Sequence, residues 1–247
     1  MEDTGMEVSA EASQMNFFQR LTGVFFEPAR TFEDINRKPT WFVIFLIMSV
    51  LGVAVLYVAL GRINSEAAIR QRLEAQKMSE EQINAAIAIQ QRPIVRYATL
   101  IATPIVQLIT YLIMAGIFLL VFVIMGAPLT FKKTLSVTLW GLAPPAIIKT
   151  ILALVLIYVK NPETIDMNAG VVMSNLGPLV DAKAHPSLAS LLSSIDLFSL
   201  WGIVLLSIGF AAISGRKLTA KKAAVGVVIL WLIYVLGKTG LRSLFHF

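Results

Sequence analysis

The 247-residue chain has no cysteine and only two histidines, His185 and His246. The first absence excludes disulfide bonds, thiolate metal sites and cysteine nucleophiles. The two histidines lie outside the apolar runs and do not have the spacing of a helical zinc motif. Charge is also scarce, because Asp, Glu, Lys and Arg make up 15% of the residues, against about 25% in a typical soluble domain.

Apolar side chains take the place of the missing charge. Hydrophobic residues make up 57% of the chain, and its mean hydropathy is +0.76. Several apolar runs reach the ~20 residues that a helix needs to cross a bilayer. We therefore predict an all-α integral membrane bundle of five transmembrane helices, at residues 41–60, 97–125, 134–159, 197–214 and 223–236.

The other segments lie around this five-span membrane domain, residues 41–236. Residues 1–15 are acidic without an apolar core, so we predict a disordered N-terminus and no cleavable signal peptide. In residues 16–40 apolar side chains recur near helical spacing, and Pro28 is placed to begin a second helix. This amphipathic segment is expected to lie in the headgroup region, to pack on the end of the bundle, or both. Residues 237–247 are expected to form a C-terminal tail.

The first loop, residues 62–96, is long and charged but carries helix signals. Ser79 and Gln82 have the spacing of a capping box, and Pro93 ends the helical pattern. Each half of the loop has a weak apolar edge, formed by Ile69 and Leu73 and by Ile83 and Ile87. We predict a small helical hairpin, with a solvated charged linker as the alternative.

The counts of Lys and Arg set the expected orientation. The N-terminal segment and the second and fourth loops together carry ten, whereas the third loop and the C-terminal tail carry four. The first loop adds six to the side with four, but four acidic residues are interleaved with them. We expect a cytoplasmic N-terminus and a C-terminus outside. The net charge of +6 comes from these flanking residues, and no nucleic-acid motif accompanies it.

The chain lacks the residue patterns of known hydrolase and nucleotide-binding sites. It has no nucleophile elbow and no phosphate-binding loop, and the five predicted spans contain no Asp or Glu. An intramembrane aspartyl enzyme requires two such carboxylates. We therefore predict no catalytic residue, no metal site, no cofactor and no enzymatic activity.

Two charged residues are candidate functional positions. Lys149 is the single charged residue inside a predicted span, and Asp196 directly precedes the fourth span. An intramembrane charge is a functional hypothesis by default, but a lysine that snorkels to the surface or bonds to free carbonyls explains Lys149 as well. Asp196 is placed to cap the N-terminus of the fourth span. An ion pair between the two residues is compatible with the expected topology.

Prolines inside the apolar runs are the other candidate positions. Pro144 and Pro145 occur together in the third span, and Pro104 lies in the second. Each removes a backbone donor, so we expect these helices to bend or break there. Transporters bind substrate at broken helices, but these usually occur in repeated halves, and no repeat is evident here. We therefore interpret the prolines as architectural kinks.

Three longer stretches resemble one known family. They are LTGVFFEPARTFEDINRKPTW before the first span, SVTLWGLAPPAII in the third, and SIDLFSLWGIVLLSIGFAAISGRKLTAKKAAVGVVILWLI across the fourth and fifth. Their order and spacing resemble the YIP family, the Ypt/Rab-interacting membrane proteins, and most closely its bacterial members. The resemblance implies a five-span bundle with a cytoplasmic N-terminus and a proline-bearing third span, in a bacterial cytoplasmic membrane, without catalytic residues.

The resemblance also bears on partners. Eukaryotic members of that family act in vesicle trafficking, bind Rab-type GTPases and associate with one another. This chain has FFEPARTF in place of their acidic-aromatic Gly-Pro motif, which argues against GTPase binding. We expect membrane lipids as partners, with membrane proteins or further copies of the chain, and no nucleic acid.

These observations favour a noncatalytic membrane scaffold or a lipid- or partner-binding protein. The alternative is a small transporter or channel that uses Lys149 and the kinked third span. Polar residues within the spans, such as Gln107, Thr110 and Ser136, are the further basis of that alternative.

Overall fold

The computed structural model describes residues 14–63, 66–161, 165, 170–181, 184–215 and 217–245, with side chains up to Gly240 except at 68, 72 and 75. The described residues form ten α-helices and one short 3-10 helix. These are α1 (Phe17–Phe26), α2 (Pro28–Arg37), α3 (Phe42–Arg62), α4 (Glu66–Ala75), α5 (Glu80–Gln90), α6 (Pro93–Ile124), α7 (Phe131–Val159), η1 (Gly177–Leu179), α8 (Pro186–Leu192), α9 (Leu197–Ile213) and α10 (Ala220–Phe245). Of the predicted disordered residues 1–15, all but Gln14 and Met15 lie outside the description.

Four described helices are long and apolar enough to cross a membrane. They are α3, α6, α7 and the Ala220–Gly240 part of α10. Helix α9 is as apolar but has 17 residues, about 25 Å. The described part of the chain is therefore an all-helical, membrane-type structure, and a fifth span would have to include α9.

The helices extend beyond several of the predicted spans. Helix α6 begins at Pro93 and α7 at Phe131, whereas the predicted spans begin at 97 and 134. Helix α10 continues to Phe245, so the described part of the predicted C-terminal tail, residues 237–247, is helical. Hydropathy marks only the part of a helix that suits lipid, whereas backbone hydrogen bonds carry the helix into polar residues. Pro93 starts a helix because its missing N–H is not needed at the first position.

The prolines do not break the helices that contain them. Helix α7 runs without interruption through Pro144 and Pro145, and α6 runs through Pro104. Each proline leaves the carbonyl four residues earlier without its helical donor. Both α7 prolines are buried, and α7 packs against α3, α6 and α9. Tertiary packing therefore holds the helix where local propensity opposes it.

The most densely packed region lies at one end of the bundle, near α1 and α2, which is called the proximal end below. The Phe210 ring of α9 lies 4.9 Å and 4.3 Å, between centroids, from those of Phe118 and Phe122 in α6. Residues 134–141 of α7 are all buried, so neighbours surround this part of the helix. Towards the opposite, distal end, outward apolar side chains dominate on α6 and α7.

The N-terminal amphipathic segment forms α1 and α2, which pack on the proximal end. Asn16 caps α1: its Oδ1 accepts from Gln19 N at 2.9 Å, and the Gln19 side chain accepts from Asn16 N at 2.8 Å. Pro28 occupies the first turn of α2, as predicted. The buried faces of the two helices contribute Val24, Phe32 and Ile35 to the core. Packing on the bundle, one of the two expected arrangements, is thus observed.

The first loop folds as the predicted helical hairpin, α4 and α5. The Ser79–Gln82 capping box forms at the start of α5. The Arg70 guanidinium joins the two helices, with 2.7 Å contacts to Glu80 Oε2 and Asn84 Oδ1. The apolar edges meet in a small separate cluster of Ile69, Ile83 and Ile87, against which Leu73 and Met78 pack.

Candidate functional site

The structure brings Lys149 of α7 next to Asp196 at the start of α9. Lys149 Nζ lies 3.7 Å from Asp196 Oδ1, and 5.5 Å from the centroid of the Phe198 ring. The lysine side chain is 47% exposed and the aspartate side chain 9%. Among the interpretations of Lys149 that the sequence allows, the structure shows the ion pair with Asp196.

Asp196 also caps α9, as its position predicts. Its Oδ1 accepts hydrogen bonds from the backbone N–H groups of Phe198 at 3.0 Å and Ser199 at 3.2 Å, and the Ser199 hydroxyl donates to Oδ2. The partial positive charge of the helix N-terminus adds to this stabilisation. Two amides, a hydroxyl and an ammonium thus offset the cost of burying the carboxylate.

The proline candidates lie on two helices. Pro144 and Pro145 are buried in α7, and Pro145 faces α9, where a Cβ on Gly202 would lie 3.8 Å from its Cγ. The absence of a side chain at Gly202 lets the two helices approach closely at the prolines. Pro104 is partly buried in α6. The α7 prolines are therefore part of a helix–helix contact.

Polar side chains within the spans form hydrogen bonds to a neighbouring helix or to the backbone of their own helix. The Gln107 side chain of α6 accepts from Ser49 Oγ of α3 at 3.0 Å. The hydroxyls of Thr110 and Ser136 each donate at 2.8 Å to the carbonyl four residues earlier in their own helices. Among the described residues, no three His, Asp or Glu side chains are grouped as metal ligands.

A second polar cluster, not predicted from the sequence, lies between α1 and α2. Arg20 Nε lies 2.7 Å from Asp34 Oδ2, with the two side chains 4% and 7% exposed. Arg20 Nη1 donates to the Lys38 carbonyl at 3.0 Å and to Thr40 Oγ1 at 2.6 Å. The guanidinium therefore joins α1, α2 and the segment that leads into α3.

One sequence signal does mark this cluster. Arg20 occurs on the same helical face as Phe17, Leu21 and Val24, so a charge interrupts an otherwise apolar stripe. A charge on a buried face usually has a partner. Its partner Asp34 lies on the next helix, and no spacing rule identifies a partner across a turn.

A cavity of about 260 Å³ adjoins this cluster at the point where α3 enters the bundle. Residues 14–17 line one side, and Val43, Ile44 and Trp140 form the apolar part of the wall. Lys38 also lines it, with its Nζ 3.2 Å from Gln14 Oε1. The cavity combines a cationic group with an apolar wall, which suits an amphiphilic ligand with a negatively charged or polar head.

Comparison with protein families identifies the chain. A model of the Yip1 domain matches residues 22–239, which include all the helices from α2 to α9 and most of α10. Comparisons with curated proteins and with solved structures yield no match. This match agrees with the structure, because four of the described helices are apolar enough to cross a membrane. The chain is therefore a membrane protein of the YIP family.

Proposed function

We propose that this protein is a noncatalytic, five-span membrane scaffold that binds lipids or partner proteins through its proximal end. Helix α9 supplies the fifth span in this proposal. The proximal end, with α1 and α2, faces the cytoplasm, and the membrane is the cytoplasmic membrane of a bacterium. The observation that carries the proposal is the construction of the α1–α2 pair, which is fixed to the bundle on one face and exposes two phenylalanines of α1 on the other.

The fixed face rests on the buried Arg20–Asp34 pair and on the apolar core beneath it. On the other face Phe18 and Phe26 are 75% and 84% exposed. Two aromatic side chains held outward on a rigid support, where α3 enters the membrane, suit insertion among lipid headgroups. The neighbouring cavity adds the Lys38 ammonium, which attracts an anionic head.

The polar groups of the spans support the scaffold over the transporter alternative. A solute pathway requires polar groups that face a water-filled route. Here Lys149 is paired with Asp196, and Gln107 is bonded to Ser49. These groups stabilise contacts between helices, which is the role expected of them in a packed bundle.

The first test measures what the protein binds. The full chain and the double variant Phe18→Ser/Phe26→Ser are extracted into nanodiscs, and bound lipids and proteins are quantified by mass spectrometry. Ile89→Ser, at an apolar residue of α5 that is 51% exposed, is the control. We expect a defined lipid or protein enriched with the wild type and the control and lost with the double variant. Equal retention by all three proteins would refute the proposed role of α1.

The second test addresses the transporter alternative. Wild-type protein and Lys149→Ala are reconstituted in liposomes, and the release of trapped ions and small solutes is followed. We expect both to leak no faster than liposomes without protein. Release that depends on Lys149 would establish a solute pathway and would overturn the scaffold proposal.

A further inference from the structure

Helix α9 begins partway along the length of α7. The two helices run antiparallel, and Gly202 lies against Pro145. Five residues back from Gly202, Leu197 begins α9 and is therefore level with Thr150. The contact between the ammonium of Lys149 and the cap of α9 agrees with this register.

Helix α7 continues well past that level. From Thr150 to Val159 the helix rises by about 14 Å, at 1.5 Å per residue. Its outward side chains over this stretch remain apolar, namely Ile151, Leu152, Val155, Tyr158 and Val159. Charge appears only at the end of α7, where the Arg62 guanidinium lies 5.0 Å from the centre of the Tyr158 ring. Helix α9 therefore begins about halfway through an apolar layer of ~30 Å.

Two arms of the third loop lie next to the start of α9, where Leu197 N donates to the Ser174 carbonyl at 3.3 Å. The first arm is residues 173–181 and the second is residues 184–196, which include α8. Leu176 N donates to the carbonyls of Leu192 at 3.2 Å and Ile195 at 3.3 Å, which joins the arms. Helix α8 packs against α10. These bonds satisfy irregular backbone, as required of any nonhelical chain at membrane depth.

Apart from Ser187 of α8 and the exposed Asp181 and His185, the side chains of the arms are arranged with the apolar groups outward. The large outward residues are Met173, Leu176, Leu179 and Leu188. The polar residues Ser190, Ser194 and Asp196 are buried against the bundle. At this contact the hydroxyls of Ser190 and Thr239 of α10 lie 3.4 Å apart. A segment in water would show the opposite arrangement, whereas one among acyl chains shows this one.

We propose that the two arms form a re-entrant hairpin that enters the distal half of the bilayer and contacts its acyl chains. The exposed residues Asp181 and His185, one on each arm, reach the distal headgroups. The hairpin and α9 then cross the membrane together, which accounts for a span of only 17 residues. The Lys149–Asp196 pair lies at the floor of the hairpin, where the Asp196 side chain is buried.

The absence of cysteine makes a direct test straightforward. Single variants Leu179→Cys and Leu188→Cys of the full chain carry a nitroxide label in liposomes, and power saturation measures collisions with oxygen and with a water-soluble nickel chelate. Ile89→Cys in the α4–α5 hairpin is the water-exposed control, and Ile109→Cys in α6 is the lipid-exposed control. The native side chains at 89, 109 and 188 are similarly exposed, at 51%, 51% and 46%.

The two arm positions should behave like position 109. We expect nickel accessibility several-fold below that at position 89, and higher oxygen accessibility. Nickel accessibility at both arm positions equal to that at position 89 would overturn the proposal, because the arms would then lie in water. The two positions are on different arms, so the failure of one variant to fold leaves the other as a test. The outcome is independent of whether the proximal end binds a partner.

Discussion

Removing the charge of Asp34 tests whether the buried ion pair anchors the α1–α2 pair. Asp34→Asn keeps the shape of the side chain but leaves the Arg20 guanidinium without its counter-ion. Breaking a buried pair on one side costs about 3–5 kcal/mol. Arg20 keeps its bonds to the Lys38 carbonyl and Thr40, so we expect the lower end, about 3 kcal/mol. The free energy of unfolding is measured by titrating detergent-solubilised protein with sodium dodecyl sulfate and following its circular dichroism.

The same helix pair supplies a matched control. Glu27→Gln makes the same chemical change at the exposed Arg30–Glu27 pair, where the atoms lie 3.1 Å apart and the side chains are 72% and 58% exposed. Because solvent screens an exposed pair, it contributes less than about 0.5 kcal/mol to the free energy of unfolding. The double variant Arg20→Met/Asp34→Leu removes both charges and should recover most of the lost stability. The reasoning would be refuted if Asp34→Asn cost no more than Glu27→Gln.

Three further changes test the packing described above. Asp196→Ala removes the cap of α9 and should cost about 1–2 kcal/mol in the same titration, whereas Asp196→Asn, which still caps, should cost less; equal losses would contradict the capping role. Ile83→Ala should destabilise the α4–α5 hairpin by about 2–4 kcal/mol, seen as faster trypsin cleavage there while the spans stay protected; unchanged cleavage would show that the cluster is not needed. A Cβ on Gly209 would lie 2.6 Å from a Val137 methyl, so Gly209→Ala should lower stability by about 1–3 kcal/mol. A Cβ on Gly237 meets nothing within 4 Å, so Gly237→Ala should be neutral or stabilising by up to about 1 kcal/mol, and equal melting temperatures for the two glycine variants would contradict this account.

Hydropathy and local helix signals predict much of this fold, because both act over short stretches of chain. A spanning helix satisfies its own backbone hydrogen bonds, so an apolar run is enough to identify it. The capping box at Ser79 and the helix start at Pro28 involve only neighbouring residues, and both form as predicted. Hydropathy alone does not establish that α9 crosses the membrane, because this helix is shorter than a complete span.

Features that depend on neighbouring helices are not predictable in this way. Pro144 and Pro145 oppose helix formation locally, yet packing on three helices keeps α7 continuous. The partner of Arg20 is 14 positions away on another helix, and the turn that joins them decides whether they meet. The Lys149–Asp196 pair is compatible with the predicted order of spans, but its register requires the glycine contact between α7 and α9.

The contact between α2 and α9 determines when this protein can finish folding. Asn36 Nδ2 donates to the Ala212 carbonyl at 3.5 Å, across 176 positions of sequence. The ribosome delivers α2 before any span, and α9 only after α3, α6 and α7 have emerged. Throughout that interval the face of α2 that packs on α9 lacks its partner, and α1 and α2 can contact only each other and the earlier helices such as α7. Complete docking of the N-terminal pair is therefore a late event, and a nascent chain stalled before α9 carries an α2 helix without one of its main packing partners.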